Sequence, residues 1–228
     1  MTLLRKKVIR EMELRNFSKS TQKAYLSSIT TLANYYRMSP DKITYSMYED
    51  FILYLKNDRK LSIRTIRAYV DRFKFLYNKV LGNDTPLKIS IKQRRKKLPT
   101  VLSQEDVWSI INKPASQMHR LLLMMTYSGG FRANEVLHLR INNIDSKRML
   151  ILIENPKGGK DRYTLLSERL LPELRFYYKE NRPETLLFPS PRNRIRPLSY
   201  ETLRLVFDKA RRDAGVAKGP TLRTLSRI

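Results

Sequence analysis

Cysteine is absent from the 228 residues, which excludes disulfides and thiolate metal sites and is compatible with a reducing compartment. Histidine is nearly absent: His119 and His138 are the only two, too few for a metal site built on imidazoles. No apolar run approaches the roughly 18 residues needed to span a bilayer. The opening stretch MTLLRKKVIREMELRNF lacks the apolar segment of a secretory signal. A soluble, cytoplasmic chain is therefore expected. A G-x-x-x-x-G-K-[ST] loop is also missing, which removes the common nucleotide-phosphate cradle. Acidic residues are scarce, 21 against 46 Lys and Arg, leaving a formal charge of +25. Charge of that size says little about fold but predicts attraction to a polyanion, nucleic acid before an anionic membrane. Charge alone would equally suit an RNA-binding or ribosome-associated protein. The 41% hydrophobic share is enough for a packed core.

Hydrophobic spacing divides the chain. Residues 1–85 read as helical. Ser20 and Thr21 are expected to cap a helix carrying Tyr25, Ile29, Leu32 and Tyr36. A short helix is expected around 47–55. Another is expected over 62–80, with Ile66, Tyr69, Phe73, Leu76, Tyr77 and Val80 on one stripe and Arg64, Arg67, Arg72, Lys74 and Lys79 on the opposite face. Residues 86–99 form a basic linker, with Lys88, Lys92, Arg94, Arg95, Lys96 and Lys97 crowded into ten residues. Mutual repulsion should keep it extended. Beyond it, 100–228 reads as a mixed domain. Ser103 to Asp106 resembles a capping box opening a helix. A second helix spans about 117–127, stopped by Gly129-Gly130, and another begins near Ala133. Met149 to Glu154 and Arg162 to Leu166 read as a hairpin around the turn 156–161. Helices follow near 168–180 and 199–214. The expected fold class is mainly α with a small β-hairpin or sheet (α+β). Two lobes joined by a cationic strap could close around a duplex and neutralise several phosphates, giving affinity that falls steeply with salt.

The stretch GGFRANEVLHLRINNID, residues 129–145, resembles the tyrosine recombinases (phage integrase family) of the Xer and integron-integrase type. Those proteins carry G-x-R-x-x-E followed by Leu-x-Leu and Asp, matched here by Gly130, Arg132, Glu135, Leu137, Leu139 and Asp145. KGGKDR between the two strands, LLFPS at 186–190, SKSTQKAY at 18–25 and LPTVLSQEDV at 98–107 extend the likeness across nearly the whole chain, in the right order. The resemblance implies an N-terminal helical SAM-like core-binding domain followed by a DNA breaking-rejoining catalytic domain. It implies that Arg132 contacts the scissile phosphate through its planar guanidinium. It implies that Lys157 protonates the leaving 5′ oxygen, with Lys160 the weaker candidate, and that Glu135 orients the arginine or packs the helix start. Cleavage passes through a 3′-phosphotyrosine, with no metal and no nucleotide cofactor. The implied partner is double-stranded DNA carrying a recombination site, with self-association or pairing with a full-length relative on that DNA.

The chain departs from the pattern at GPTLRTLSRI, residues 219–228, where the family has H-x-L-R-H. One alignment sets Arg223 at the histidine, Ser226 at the second arginine and Arg227 at the next histidine. A shifted one keeps Arg223 as the second arginine and sets Pro220 at the histidine. Neither restores the histidine, and no tyrosine follows. Tyr25, Tyr69 and Tyr77 fall on apolar stripes, and Tyr200 follows a helix cap. The expectation is a truncated family member, located in the bacterial cytoplasm with the nucleoid, that binds DNA but is catalytically incomplete alone. Such a chain would act as a DNA-binding protein or as an inhibitor of a full-length recombinase. Arg132, Lys157 and Arg223 are the catalytic candidates. Arg64, Arg67, Lys92, Arg94, Arg95, Lys96 and Lys97 are the expected phosphate contacts.

Overall fold

Ser and Thr residues set most of the helix starts. Thr2, Ser18, Thr44, Ser62, Ser103, Ser116 and Ser199 each accept a hydrogen bond from the backbone N–H three residues on. Each such cap stabilises by about 1 kcal/mol. The computed structural model describes residues 2–83, 87–92, 101–154, 159–217 and 219–225. The chain separates into two compact units, Met1–Lys96 and Lys97–Ile228.

The first unit holds helices α1 (Leu3–Leu14), α2 (Lys19–Tyr36), α3 (Tyr45–Asn57) and α4 (Ile63–Lys74), the last running on into a π-helical stretch, Phe75–Val80. That widening lets one rod serve two cores. Ile66, Val70 and Phe73 join Leu32, Tyr48, Phe51 and Leu55. Phe75, Leu76 and Val80, beyond the widening, join Val8, Met12 and Ile29. Two expectations change here. The cap of α2 is Ser18 rather than Ser20 or Thr21. Phe17 packs against Tyr25 and Phe75, with ring centroids 5.3 and 5.4 Å away, and so fixes the turn before the helix. Arg72 does not face outward with the other cations. Its guanidinium donates to Ser28 Oγ at 2.7 Å and lies 6.0 Å from the Tyr25 ring, bracing α4 against α2. The first residues of the expected linker also belong to this unit. Leu87 is buried, and Ile89 and Ile91 pack on the same cluster, while Lys88 and Ser90 between them and Lys92 after them are exposed.

The second unit is built around α6 (Gln117–Ser128), in which Leu121, Leu122, Leu123 and Met125 are all fully buried. A helix apolar on nearly every side must be surrounded. Its neighbours are α5 (Gln104–Asn112), α7 (Ala133–Leu137), α8 (Leu170–Asn181) and α9 (Tyr200–Asp213). The anticipated hairpin gains a third strand: β1 (Ile144–Asp145), β2 (Leu150–Ile153) and β3 (Arg162–Leu165) form an antiparallel sheet in that order. Ile151 pairs with Thr164, and Ile153 with Arg162. Ile151 and Ile153 enter the core, so Arg162 and Thr164 share that inward side. A second hairpin, β4 (Pro189–Ser190) with β5 (Asn193–Pro197), was not anticipated. Buried Leu187 and Phe188 anchor it, and Tyr177 Oη donates to the Leu187 carbonyl at 2.9 Å. A final turn of helix, α10 (Leu222–Leu225), buries both its leucines in the same core.

Candidate phosphate-contacting site

The site begins where α6 stops. The Gly129 N–H closes the helix on the Met125 carbonyl at 3.1 Å. A Cβ on Gly129 would lie 2.1 Å from the Phe131 ring, which is fully buried, so only glycine fits. Gly130 follows in the left-handed region at φ 59°. Phe131 then anchors inward, and Arg132, extended at φ −69° and ψ 150°, turns outward as the residue that opens α7. The buried ring and the constrained glycine thus set where the guanidinium emerges.

Glu135 sits three residues into that turn and collects four hydrogen bonds. Its Oε2 accepts the Arg132 backbone N–H at 2.9 Å, and its Oε1 accepts Arg132 Nη1 at 2.8 Å. Arg162, from β3, grips both oxygens as a fork, Nη1 to Oε1 at 2.9 Å and Nη2 to Oε2 at 2.7 Å. The Glu135 side chain is only 5% exposed, against 60% for Arg132 and 37% for Arg162. Burial alone would raise the Glu135 carboxyl. The Arg162 fork, followed by the bonds from Arg132, outweighs burial and holds the group at about 2. The same bond pushes the Arg162 guanidinium further up. Two residues along β3, Thr164 Oγ1 donates to the Gly129 carbonyl at 3.2 Å. One strand thus clips both the turn before Arg132 and the carboxylate beside it.

Two guanidinium groups around one carboxylate leave a net positive charge whose more exposed member is Arg132. Among the described residues, Arg132 commits one side-chain N–H to Glu135, and a guanidinium has five. The remaining donors can receive an oxyanion, with bidentate phosphate contact the natural fit. Among the described residues, no three His, Asp or Glu side chains gather closely enough to hold a metal ion.

The other sequence candidates fall as follows. Lys157 lies outside the described residues, in the sequence between β2 and β3. Lys160 is exposed. Arg223 is an exposed residue of α10, set between buried Leu222 and Leu225, whereas Ser226 and Arg227 lie outside the described residues. Arg64 and Arg67 are exposed on α4 of the first unit, and Lys92 is exposed beyond buried Leu87 and half-buried Ile91. Arg94, Arg95, Lys96 and Lys97 lie outside the described residues. His138 is exposed, its Nδ1 2.8 Å from the Asn134 carbonyl, and burial lowers the pKa of half-buried His119. Tyr25, Tyr69 and Tyr77 pack within the first unit, while Tyr200 is exposed at the start of α9. Arg162 was not singled out from sequence. Its signal was its register: strand alternation puts it on the side of Thr164, where a charge needs a partner.

Comparison with known proteins agrees along the chain. Residues 4–87 match the phage integrase N-terminal SAM-like domain, and residues 96–226 match the phage integrase family. A Sinorhizobium fredii protein named as an integrase/recombinase is 33% identical over 194 residues, covering 84% of this chain and 63% of its own length. An Escherichia coli integrase/recombinase is 32% identical over 163 residues, 70% of this chain and 48% of its own length. The chain therefore spans between about half and five-eighths of these relatives. A crystal structure of the lambda integrase bound to DNA superposes with a TM-score of 0.75 at 16% identity, over 99% of this chain and 84% of that one. A XerA recombinase structure gives 0.52 at 21% identity, over 98% and 80%.

Proposed function

The chain belongs to the phage integrase family of tyrosine recombinases, and from that premise we propose that its 228 residues grip duplex DNA by the backbone, with Arg132 on the phosphate at which strands are exchanged. The observation that carries this is the Arg132–Glu135–Arg162 cluster. An exposed guanidinium on the family's motif position is held by a buried carboxylate that stays ionised far below neutral pH. Arg132 would bind the non-bridging oxygens and offset the charge that builds as a fifth oxygen approaches phosphorus. Lys157 would give its proton to the departing 5′ oxygen. Arg223 would serve as a further phosphate ligand. Arg64, Arg67, Lys92, Arg94, Arg95, Lys96 and Lys97 would contact flanking phosphates without reading bases.

The attacking tyrosine is not assigned within these residues, so the chain alone is expected to bind DNA and not to cut it. It would then occupy recombination sites and compete with a longer relative. Crystal structures of lambda integrase include a dimer on a core site and a tetramer on a Holliday junction. We place this chain likewise, self-associated on duplex DNA at the bacterial nucleoid. No helix among the described residues is long and apolar enough to cross a membrane. The test is a nicked duplex that traps a covalent intermediate. Salt-sensitive binding with no protein–DNA adduct is the expected result. An adduct would overturn the non-cleaving assignment, and salt-insensitive binding would overturn the phosphate grip.

A further inference from the structure

We propose that Arg162 is a positioning residue that acts on DNA through Arg132. This rests on the phosphate-contacting role given to Arg132. The two guanidinium groups do not share Glu135 symmetrically. Arg162 spans both carboxylate oxygens with a parallel fork, at 2.7 and 2.9 Å, while the Arg132 side chain takes one oxygen through a single N–H at 2.8 Å. A fork fixes the plane of the carboxylate, and a single bond does not. With that plane fixed, Oε1 and Oε2 point at the Arg132 side chain and backbone N–H respectively, which sets the arginine's orientation. Arg162 is itself held by the β2–β3 register, opposite buried Ile153 and two residues from Thr164, whose hydroxyl is tied to the Gly129 carbonyl. The sheet thus supports Arg132 from two directions, through the carboxylate ahead of it and the glycine turn behind it. Arg162 is less exposed than Arg132, at 37% against 60%, in keeping with a supporting role rather than first contact.

Three substitutions separate this from a direct phosphate contact. The wild-type chain, Arg162→Gln, Arg162→Lys, Arg132→Ala and the Arg132→Ala/Arg162→Gln double variant are titrated on one 30-base-pair duplex by fluorescence anisotropy across a salt series. Arg132→Ala should lower the log–log salt slope by about 0.9, the equivalent of one phosphate. Arg162→Gln should produce most of that loss, and the double variant should match Arg132→Ala alone. Arg162→Lys keeps the charge but cannot fork, so it should fail to restore wild-type binding. A direct contact predicts the opposite: additive losses in the double variant and near-normal binding by the lysine variant, and either result overturns the assignment. Wild-type binding by Arg162→Gln does the same. If Arg132→Ala itself binds normally, the phosphate role falls, and the Arg162 assignment with it. Should the glutamine variant misfold, the lysine variant decides.

Discussion

Replacing Glu135 by Gln tests how strongly the cluster is held. The substitution keeps size but leaves one acceptor oxygen and points an N–H₂ at donors that now have nothing to receive them. Two independent routes give the cost. Lowering the carboxyl from its ordinary 4.5 to about 2 corresponds to ~3 kcal/mol of stability at neutral pH. Breaking a buried ion pair costs about 3–5 kcal/mol. Here the stranded guanidinium groups can still reach water, being 60% and 37% exposed, which favours the lower end. The folded-state value is depressed, so the contribution is complete above about pH 4.5 and lost as pH falls toward 2, with roughly half remaining near pH 3. The chain's single tryptophan, Trp108, lies on α5 in the same unit, so its fluorescence during urea unfolding reports the correct part of the molecule. Glu135→Gln should unfold ~3 kcal/mol more easily at pH 7, and the deficit should shrink by about half near pH 3. A deficit under ~0.5 kcal/mol at pH 7, or one that does not change with pH, would refute the account.

Arg132→Ala should leave the Trp108 urea transition within about 1 kcal/mol of wild type, because its side chain is largely exposed; a larger loss would mean the arginine supports the fold. Gly129→Ala should destabilise the second unit by about 1–3 kcal/mol, since the new methyl meets the buried Phe131 ring, and an unchanged urea midpoint would contradict that packing. Arg64→Ala with Arg67→Ala should weaken binding equally on duplexes of unrelated sequence and flatten the salt slope, and an unaltered slope would remove α4 from the DNA-contacting surface. Ser103→Ala should lower stability by about 1 kcal/mol through loss of its bond to the Asp106 N–H, measured by the same fluorescence.

Local signals carried as far as local physics decides. Ser103 was readable because a single hydroxyl precedes an apolar periodic run, and it caps α5. At Ser18, Ser20 and Thr21 three hydroxyls compete, and the contacts of Phe17 with Tyr25 and Phe75 settle which one caps. Arg72 looks like its basic neighbours on a helical wheel. Its inward turn depends on Ser28, 44 residues earlier. The pairing of Glu135 with Arg162 spans 27 residues and needed the strand register before it could be seen. β5, Asn-Arg-Ile-Arg-Pro, has no apolar alternation to mark a strand, and the buried Leu187 and Phe188 beside it supply the reason it forms.

The π-helical stretch at Phe75–Val80 makes the first unit sensitive to length rather than to composition. Removing one residue there would restore ordinary α geometry and swing everything downstream by about 100°. Val80 would rotate off the Val8–Met12 cluster, and the Asn78 side chain would lose the Leu87 N–H it now receives at 2.8 Å. Conservative swaps at these six positions should be absorbed by repacking, whereas a one-codon deletion would misalign the chain that leaves it, with buried Leu87 and the isoleucines at 89 and 91.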